Sequence, residues 1–341
     1  LSSGSSSRKS VLVLGGTGFM GPVIVRELVA KGYAVTLFNR GITNPNLFPQ
    51  LPLIKGDRET VDGTGLKELM ANTQTWDWVV DTWQGSSKAV EDSAKLLANR
   101  TQQYQYVSTV SVYDNWDEVG INESAALNPL PSESEPIDSP NRYAIRKTFA
   151  ELILSRLLPN NSVTFRSHGM RGYENSAPKH EPYWQVKIER GKHLVVPADA
   201  EYYQVTDMIS LARFMIHAGE QKLNGPFNVA YAPFLFRDFI NEIVQLRNSK
   251  VELHWLPQEF LLEHDAKIIR TVPAGRYRFD VTRALNAGLI NRSKQALLED
   301  QLLGYYDRNP KGDFAFGHPE TATLTDEREL ELVRLWRETR I

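Results

Sequence analysis

The sequence predicts an α/β fold: a doubly wound parallel sheet with a smaller C-terminal lobe. Three observations predict it. An apolar segment at residues 11–14 runs into a turn with spaced glycines at residues 15–21, and a helical pattern follows at once. Strand-like and helix-like segments then alternate through the first half of the chain, as right-handed crossovers in a parallel sheet require. Finally, 341 residues are enough for one large core with an added lobe.

Val11, Leu12, Val13 and Leu14 form an uninterrupted apolar run, the pattern of a strand buried on both faces. Gly15, Gly18 and Gly21 lie three apart, and Gly16, Gly18 and Gly21 read G-x-G-x-x-G. Such a turn lets backbone N–H groups approach a pyrophosphate at a helix N-terminus, which makes Gly15, Thr17, Gly18, Phe19, Met20 and Gly21 candidate cofactor contacts. Val23, Ile24, Glu27, Leu28 and Lys31 keep helical spacing, and Gly32 suits a C-terminal cap. A second strand at residues 34–38 completes a β–turn–α–β unit of the Rossmann type.

Residues 53–57 read as a third short strand and residues 78–81 as the end of a fourth. Residues 88–99 have helical spacing, and residues 103–107 form a fifth strand entering Ser108 and Thr109. Residues 114–140, rich in Pro, Ser, Glu and Asn, read as a loop near the site; a helix follows at 142–158 and a sixth strand at 162–165. Helices are expected at 208–218, 238–247 and 326–340, and a strand at 227–230; regular signals fade over 305–325. The expected organisation is a polar leader at 1–9 and a dinucleotide-binding domain at 10–165, to which 202–220 returns. A substrate-binding lobe takes 166–201 and 221–300, and a C-terminal extension takes 301–341.

Composition is that of a soluble globular protein, 41% hydrophobic and 23% charged. A net charge of −2 gives no general attraction to nucleic acid or anionic membranes. No apolar run reaches the ~18 residues of a membrane-spanning helix. With no cysteine there are no disulfides or thiolate metal sites. The scattered histidines, His264 beside Asp265 among them, lack metal-ligand spacing, so no metal is expected. The Ser/Gly-rich start reads as a disordered leader or a cloning remnant. The expected location is cytoplasmic, the alternative being export in the folded state behind an upstream signal.

An acidic residue about 20 positions after the glycine turn usually binds the adenosine ribose hydroxyls and selects NAD. Here the second strand ends in Asn39-Arg40. Asn39 removes the charge that would repel a 2′-phosphate, Arg40 adds a bidentate phosphate donor, and Arg58 is a candidate second donor. NADP(H) is therefore expected over NAD(H). The competing reading has Arg40 solvated and Asn39 binding the ribose hydroxyls.

The fifth strand ends in hydroxyl side chains at Ser108, Thr109 and Ser111, and Tyr143 and Lys147 follow, four apart on one helix face. A free phenol has a pKa of ~10, and a neighbouring ammonium favours the phenolate. A tyrosine so tuned exchanges a proton with a substrate hydroxyl while a nicotinamide exchanges hydride with the same carbon, and a nearby hydroxyl holds the substrate oxygen.

On these residues the chain resembles the extended short-chain dehydrogenase/reductases, the NAD-dependent epimerase/dehydratase family. Residues 15–21 resemble its G-x-x-G-x-x-G loop, and residues 107–113 its strand-five motif. The resemblance implies a catalytic set of Thr109, Tyr143 and Lys147, with Ser108 the less favoured hydroxyl, and Lys147 also binding ribose. Gly56-Asp57 is similar to the pair whose carboxylate contacts adenine. Residues 205–207 and 279–288 are similar to later landmarks. Residues 37–41, LFNRG, and 56–58, GDR, are closest to bacterial members known only as epimerases or reductases; some relatives are exported behind a twin-arginine signal.

The chain departs from the family where substrates are chosen. Residues 81–85, DTWQG, replace a small segment beside the nicotinamide, so Thr82 and Trp83 are candidate cofactor contacts. Trp83 is either a wall over cofactor and substrate or a core aromatic. Gly169 stands near the place of an Asn that contacts sugar diphosphates in related enzymes, which argues against a nucleotide sugar. His168 either faces the nicotinamide and substrate or is structural. Arg171, Lys179, His180, Tyr183, Trp184 and Lys187 either line a pocket for a polar, sugar-like or ring-containing small molecule or form ordinary lobe surface. Ser111 is a further candidate substrate contact.

The expected function is hydride transfer at a secondary alcohol or ketone carbon, by a reductase or by an epimerase/dehydratase that retains its cofactor. The alternative is a binding protein without turnover, sensing cofactor or associating with RNA as some plastid relatives do. Family analogy favours a homodimer through the helices at 88–99 and 142–158.

Overall fold

The computed structural model describes residues 8–60, 62–131, 142–174, 182–266, 275–312, 316–317 and 323–339. In chain order it begins β1 (Ser10–Leu14), α1 (Gly21–Ala30), β2 (Ala34–Asn39), β3 (Leu53–Lys55), α2 (Lys67–Ala71), β4 (Trp76–Asp81), α3 (Ser87–Leu97), β5 (Thr101–Thr109), α4 (Tyr143–Leu157) and β6 (Ser162–Ser167). It continues with β7 (Met170–Arg171), α5 (Tyr183–Arg190), β8 (His193–Pro197), β9 (Tyr202–Tyr203), β10 (Thr206–Asp207), α6 (Met208–Glu220), β11 (Gly225–Val229) and β12 (Phe234–Leu235). The last elements are α7 (Phe236–Leu246), β13 (Glu252–Leu256), α8 (Gln258–Glu263), α9 (Thr282–Asn286), α10 (Lys294–Arg308) and α11 (Asp326–Glu338).

Seven parallel strands form the main sheet in the order β11-β6-β5-β4-β1-β2-β3. β1 is central, and its side chains alternate between two cores. Val11 and Val13 pack under α1 and α6, whereas Leu12 and Leu14 pack with Val90 and Leu97 of α3 and Leu154 of α4. Strand order reverses between β1 and β4, so the carboxyl ends of these two strands border the crevice where such sheets bind ligands.

The lobe has its own core. β8 and β13 pair in parallel, and α5, α7, α8 and α11 pack around them through Ile188, Phe236, Phe239, Phe260 and Leu332. Two boundaries differ from the sequence reading. Residues 225–229, assigned there to the lobe, add the seventh strand as β11 on β6. Residues 326–338, assigned to an extension, place Leu332 and Val333 in the lobe core. Among the described residues no helix is long and apolar enough to cross a membrane.

Candidate active site

One groove collects the carboxyl ends of the central strands. It is lined by the glycine turn, the end of β2 with Asn39 and Arg40, Asp57 after β3, Thr82 and Trp83 after β4, Ser108 of β5, and Tyr143 and Lys147 of α4. It encloses a cavity of about 240 Å³ and is open to solvent.

The turn is built so that only glycine fits at its tightest points. Gly15 has φ of 116°, and a Cβ there would come 2.6 Å from Thr82 Oγ1. A Cβ on Gly21 would come 2.6 Å from the Gly16 backbone, so the first turn of α1 packs directly on the loop. A Cβ on Gly18, by contrast, would meet nothing within 4 Å. No side chain caps the α1 N-terminus at Met20, which leaves the positive end of the helix and its N–H groups for an anion. This cradle fits the pyrophosphate of a dinucleotide.

At the end of β2, Asn39 spends both polar atoms on the loop: Nδ2 donates to the Gly15 carbonyl at 3.0 Å and Oδ1 accepts from Gly41 N at 2.7 Å. It presents no carboxylate to the groove, while Arg40 beside it is exposed on the groove wall. Arg58, expected as a second phosphate donor, lines the groove with its two terminal nitrogens committed elsewhere. Its guanidinium is buried and bidentate on Asp81, at 2.7 and 2.8 Å, and also donates to the Ala89 carbonyl at 3.0 Å. The Tyr104 hydroxyl (2.6 Å) and Trp83 N (2.9 Å) donate to the same carboxylate.

Trp83 lines the groove and packs, partly buried, against the core under α3 and α4. Its indole N–H donates to Glu59 Oε1 at 3.1 Å. Lys147 is buried and donates to the Trp83 carbonyl at 2.6 Å and the Val107 carbonyl at 2.8 Å, tying the ends of β4 and β5 together. An ammonium has three donors, so one remains for a ligand in the groove. Burial pulls the Lys147 pKa down to about 7, against the pull of Asp81 and Glu151.

Tyr143, 39% exposed, opens α4 on the groove. Its surroundings desolvate the phenolate and raise the pKa; the Thr109 hydroxyl and the Arg146 charge act the other way. The expected relief from Lys147 is not among these causes, since its Nζ stands 6.0 Å from the Tyr143 ring centroid and bonds two carbonyls. Thr109 also caps the short turn after β5, accepting from Ser111 N at 3.2 Å with Ser111 Oγ at 3.2 Å. Ser108, the less favoured hydroxyl, lines the groove directly, and its buried Oγ has no hydrogen-bond partner.

Several substrate expectations are corrected. Tyr183 and Trp184 belong to the lobe core; the Tyr183 hydroxyl donates to Glu329 Oε1 at 3.0 Å and Trp184 packs on Phe236. Lys187 is buried and ion-paired with Asp326 and, at 2.7 Å, with Glu329. His168 is not among the groove-lining residues; its ring packs on Tyr277 and Phe279, with centroids 5.3 and 5.4 Å away. Arg171 donates to the Met170 carbonyl at 3.1 Å. Lys179 and His180 lie outside the described residues. Ile42, Thr43 and Met170 line the groove although sequence reasoning did not single them out. Ile42 had a usable signal, a β-branched apolar residue in a polar loop.

Burial, with help from Arg276 and Arg171, pulls the His168 pKa down to about 4. A histidine whose folded pKa is below its unfolded value of ~6.5 leaves stability intact above that value and erodes it as pH falls toward 4. His168→Gln should therefore lose roughly 3 kcal/mol less stability than wild type between pH 6.5 and 4. Urea unfolding of both proteins across that range measures it; parallel curves would rule out a neutral buried imidazole.

A family model described as the NAD dependent epimerase/dehydratase family matches residues 11–230. The Arabidopsis thaliana "Chloroplast stem-loop binding protein of 41 kDa b, chloroplastic" is 31% identical over 140 residues, 37% of this chain. The match spans 35% of that curated relative, about a third of its length. Alfalfa (Medicago sativa) vestitone reductase is similar in fold, with a TM-score of 0.63 at 18% identity over 89% of this chain and 99% of that one. The Bordetella bronchiseptica enzyme WbmH, solved with NAD+, gives a TM-score of 0.64 at 19% identity over 88% and 99%. At these identities the likeness is one of fold.

Proposed function

Because the chain belongs to the NAD-dependent epimerase/dehydratase family and uses a nicotinamide dinucleotide, we propose that it reduces a carbonyl on a small molecule, with NADP(H) preferred. The groove that brings Tyr143, Lys147 and Ser108 together with the glycine turn carries this reading. A phenol protonated at neutral pH is ready to give its proton to a carbonyl oxygen, the transfer that completes a reduction. The bound nicotinamide supplies the hydride.

Each residue has a role in this reading. Tyr143 Oη donates the proton, and the Thr109 hydroxyl beside it holds the substrate oxygen in line. Lys147 fixes the β4 and β5 ends and offers its third donor to the ribose. Gly15, Thr17, Gly18, Phe19, Met20 and Gly21 hold the pyrophosphate, Asp57 the adenine, and Thr82 and Trp83 flank the nicotinamide. Purified protein incubated with candidate ketones should consume NADPH stoichiometrically. An epimerase would instead retain its nucleotide through purification and turn over without added cofactor.

NADP preference rests on Arg40 and on the absence of a carboxylate at Asn39. A charged hydrogen bond contributes about 1.5–3 kcal/mol, so Arg40→Ala should weaken NADPH binding by about 10- to 100-fold and leave NADH binding unchanged. Titration calorimetry with both nucleotides tests it; tighter NADH binding in wild type would overturn the preference.

The stem-loop binding relative favours one second reading, association with RNA. The net charge of −2 works against it. Filter binding to structured RNA at two salt concentrations separates the two, since phosphate contacts weaken steeply with salt.

A further inference from the structure

We propose that His193, Glu252 and His254 form a three-ligand site for a Zn2+-type dication on the lobe sheet, outside the cofactor groove. The register of the parallel pair β8–β13 sets His193 opposite Glu252. His254 lies two residues after Glu252 on the same strand, so all three project from one face. One ligand atom from each falls within 4.8 Å of the others.

The separations match coordination. His193 Nδ1 is 3.1 Å from His254 Nε2 and 3.3 Å from Glu252 Oε2, and His254 Nε2 is 3.6 Å from Glu252 Oε1. Tetrahedral zinc with Zn–N and Zn–O near 2.0–2.2 Å requires ligand–ligand edges of roughly 3.3–3.5 Å. The ion would therefore need only small adjustments of side chains already converged. Two imidazoles and a carboxylate are also a donor set that suits zinc.

The surroundings complete the site. The His254 side chain is only 10% exposed, which shields one ligand from solvent. α11 borders the patch with Leu330, Val333, Arg334, Arg337 and Glu338. Arg337 comes within 4.0 Å of Glu252, and Arg334 is paired with Glu338 at 3.1 Å. The ion would join β8 to β13 beneath α11, so its role is to stabilise the lobe. The proposal departs from the expectation of no metal. That expectation rested on spacing along the chain, but the ligands meet by pairing across 61 positions.

The test uses the full chain, dialysed against chelator and titrated with Zn2+ alone by calorimetry, with Co2+ as a spectroscopic substitute. One ion per chain is expected, with the intense visible absorption of low-coordinate Co2+ and a raised thermal midpoint. His193→Gln and His254→Gln should each weaken binding at least ~10-fold and abolish the thermal shift, while His264→Gln should change neither. Failure of micromolar Zn2+ to bind wild type, or equal binding by the His193 and His254 variants, overturns the proposal.

Discussion

Tyr143→Phe should lower turnover by about 100- to 10,000-fold, the usual contribution of a positioned proton donor. Cofactor affinity and unfolding midpoint should stay at wild-type values. The variant removes one oxygen from a half-open position at the start of α4, where no core contact depends on it. The size of the effect follows from position. Tyr143 is the groove's only tyrosine among the described lining residues, and the Lys147 ammonium is committed to two carbonyls. A rate loss that appears in kcat, with the cofactor Kd unchanged, assigns the phenol to chemistry. Full activity in the variant would sink the assigned mechanism in both its reductase and epimerase forms.

The pH profile adds a second constraint. With a raised phenol pKa, loss of the Tyr143 proton lowers the reductive rate on the alkaline side, beyond the titration of Lys147 near pH 7. The oxidative direction should show the opposite limb, rising with pH. Initial rates in both directions across the alkaline range separate these outcomes.

The nucleotide side of the site was legible because its determinants are local. An apolar strand, spaced glycines and an amphipathic helix occupy residues 10–30 in succession, and the structure keeps that order as β1, turn and α1. Tyr143 and Lys147 were legible for the same reason, being one helical turn apart. What failed was decided at long range. Arg58 reads as a free cation until Asp81, 23 positions on, captures it. Lys187 reads as a pocket or surface residue until α11, 139 positions away, brings Asp326 to it. Its neighbours Tyr183 and Trp184 likewise became core because α7 and α11 cover them. Parallel pairing of β8 with β13 left no local signal, since each strand is short and their register crosses about 60 residues.

The Arg58–Asp81 pair shows how such long-range capture supports the site. Arg58→Met should destabilise the protein by about 3–5 kcal/mol, because it strands the Asp81 carboxylate at 0% exposure. Only the Tyr104 hydroxyl and Trp83 N would then remain of the donors named to that carboxylate. In wild type Arg58 helps hold the Asp81 pKa below the usual carboxylate range. Its contribution is complete above the unfolded value of ~3.9 and lost as pH falls through the lower folded value. The double variant Arg58→Met, Asp81→Leu removes both charges and should recover part of the loss, as replacing a buried pair with apolar groups commonly does. Urea unfolding of the two variants against wild type measures this, and a double variant less stable than the single would refute an uncompensated charge as the cause. The same carboxylate orients Trp83, whose carbonyl receives Lys147. Arg58→Met should therefore also weaken cofactor binding although both terminal nitrogens of Arg58 are committed to Asp81. A variant that loses stability but binds NADPH as wild type would separate the buried pair from the groove above it.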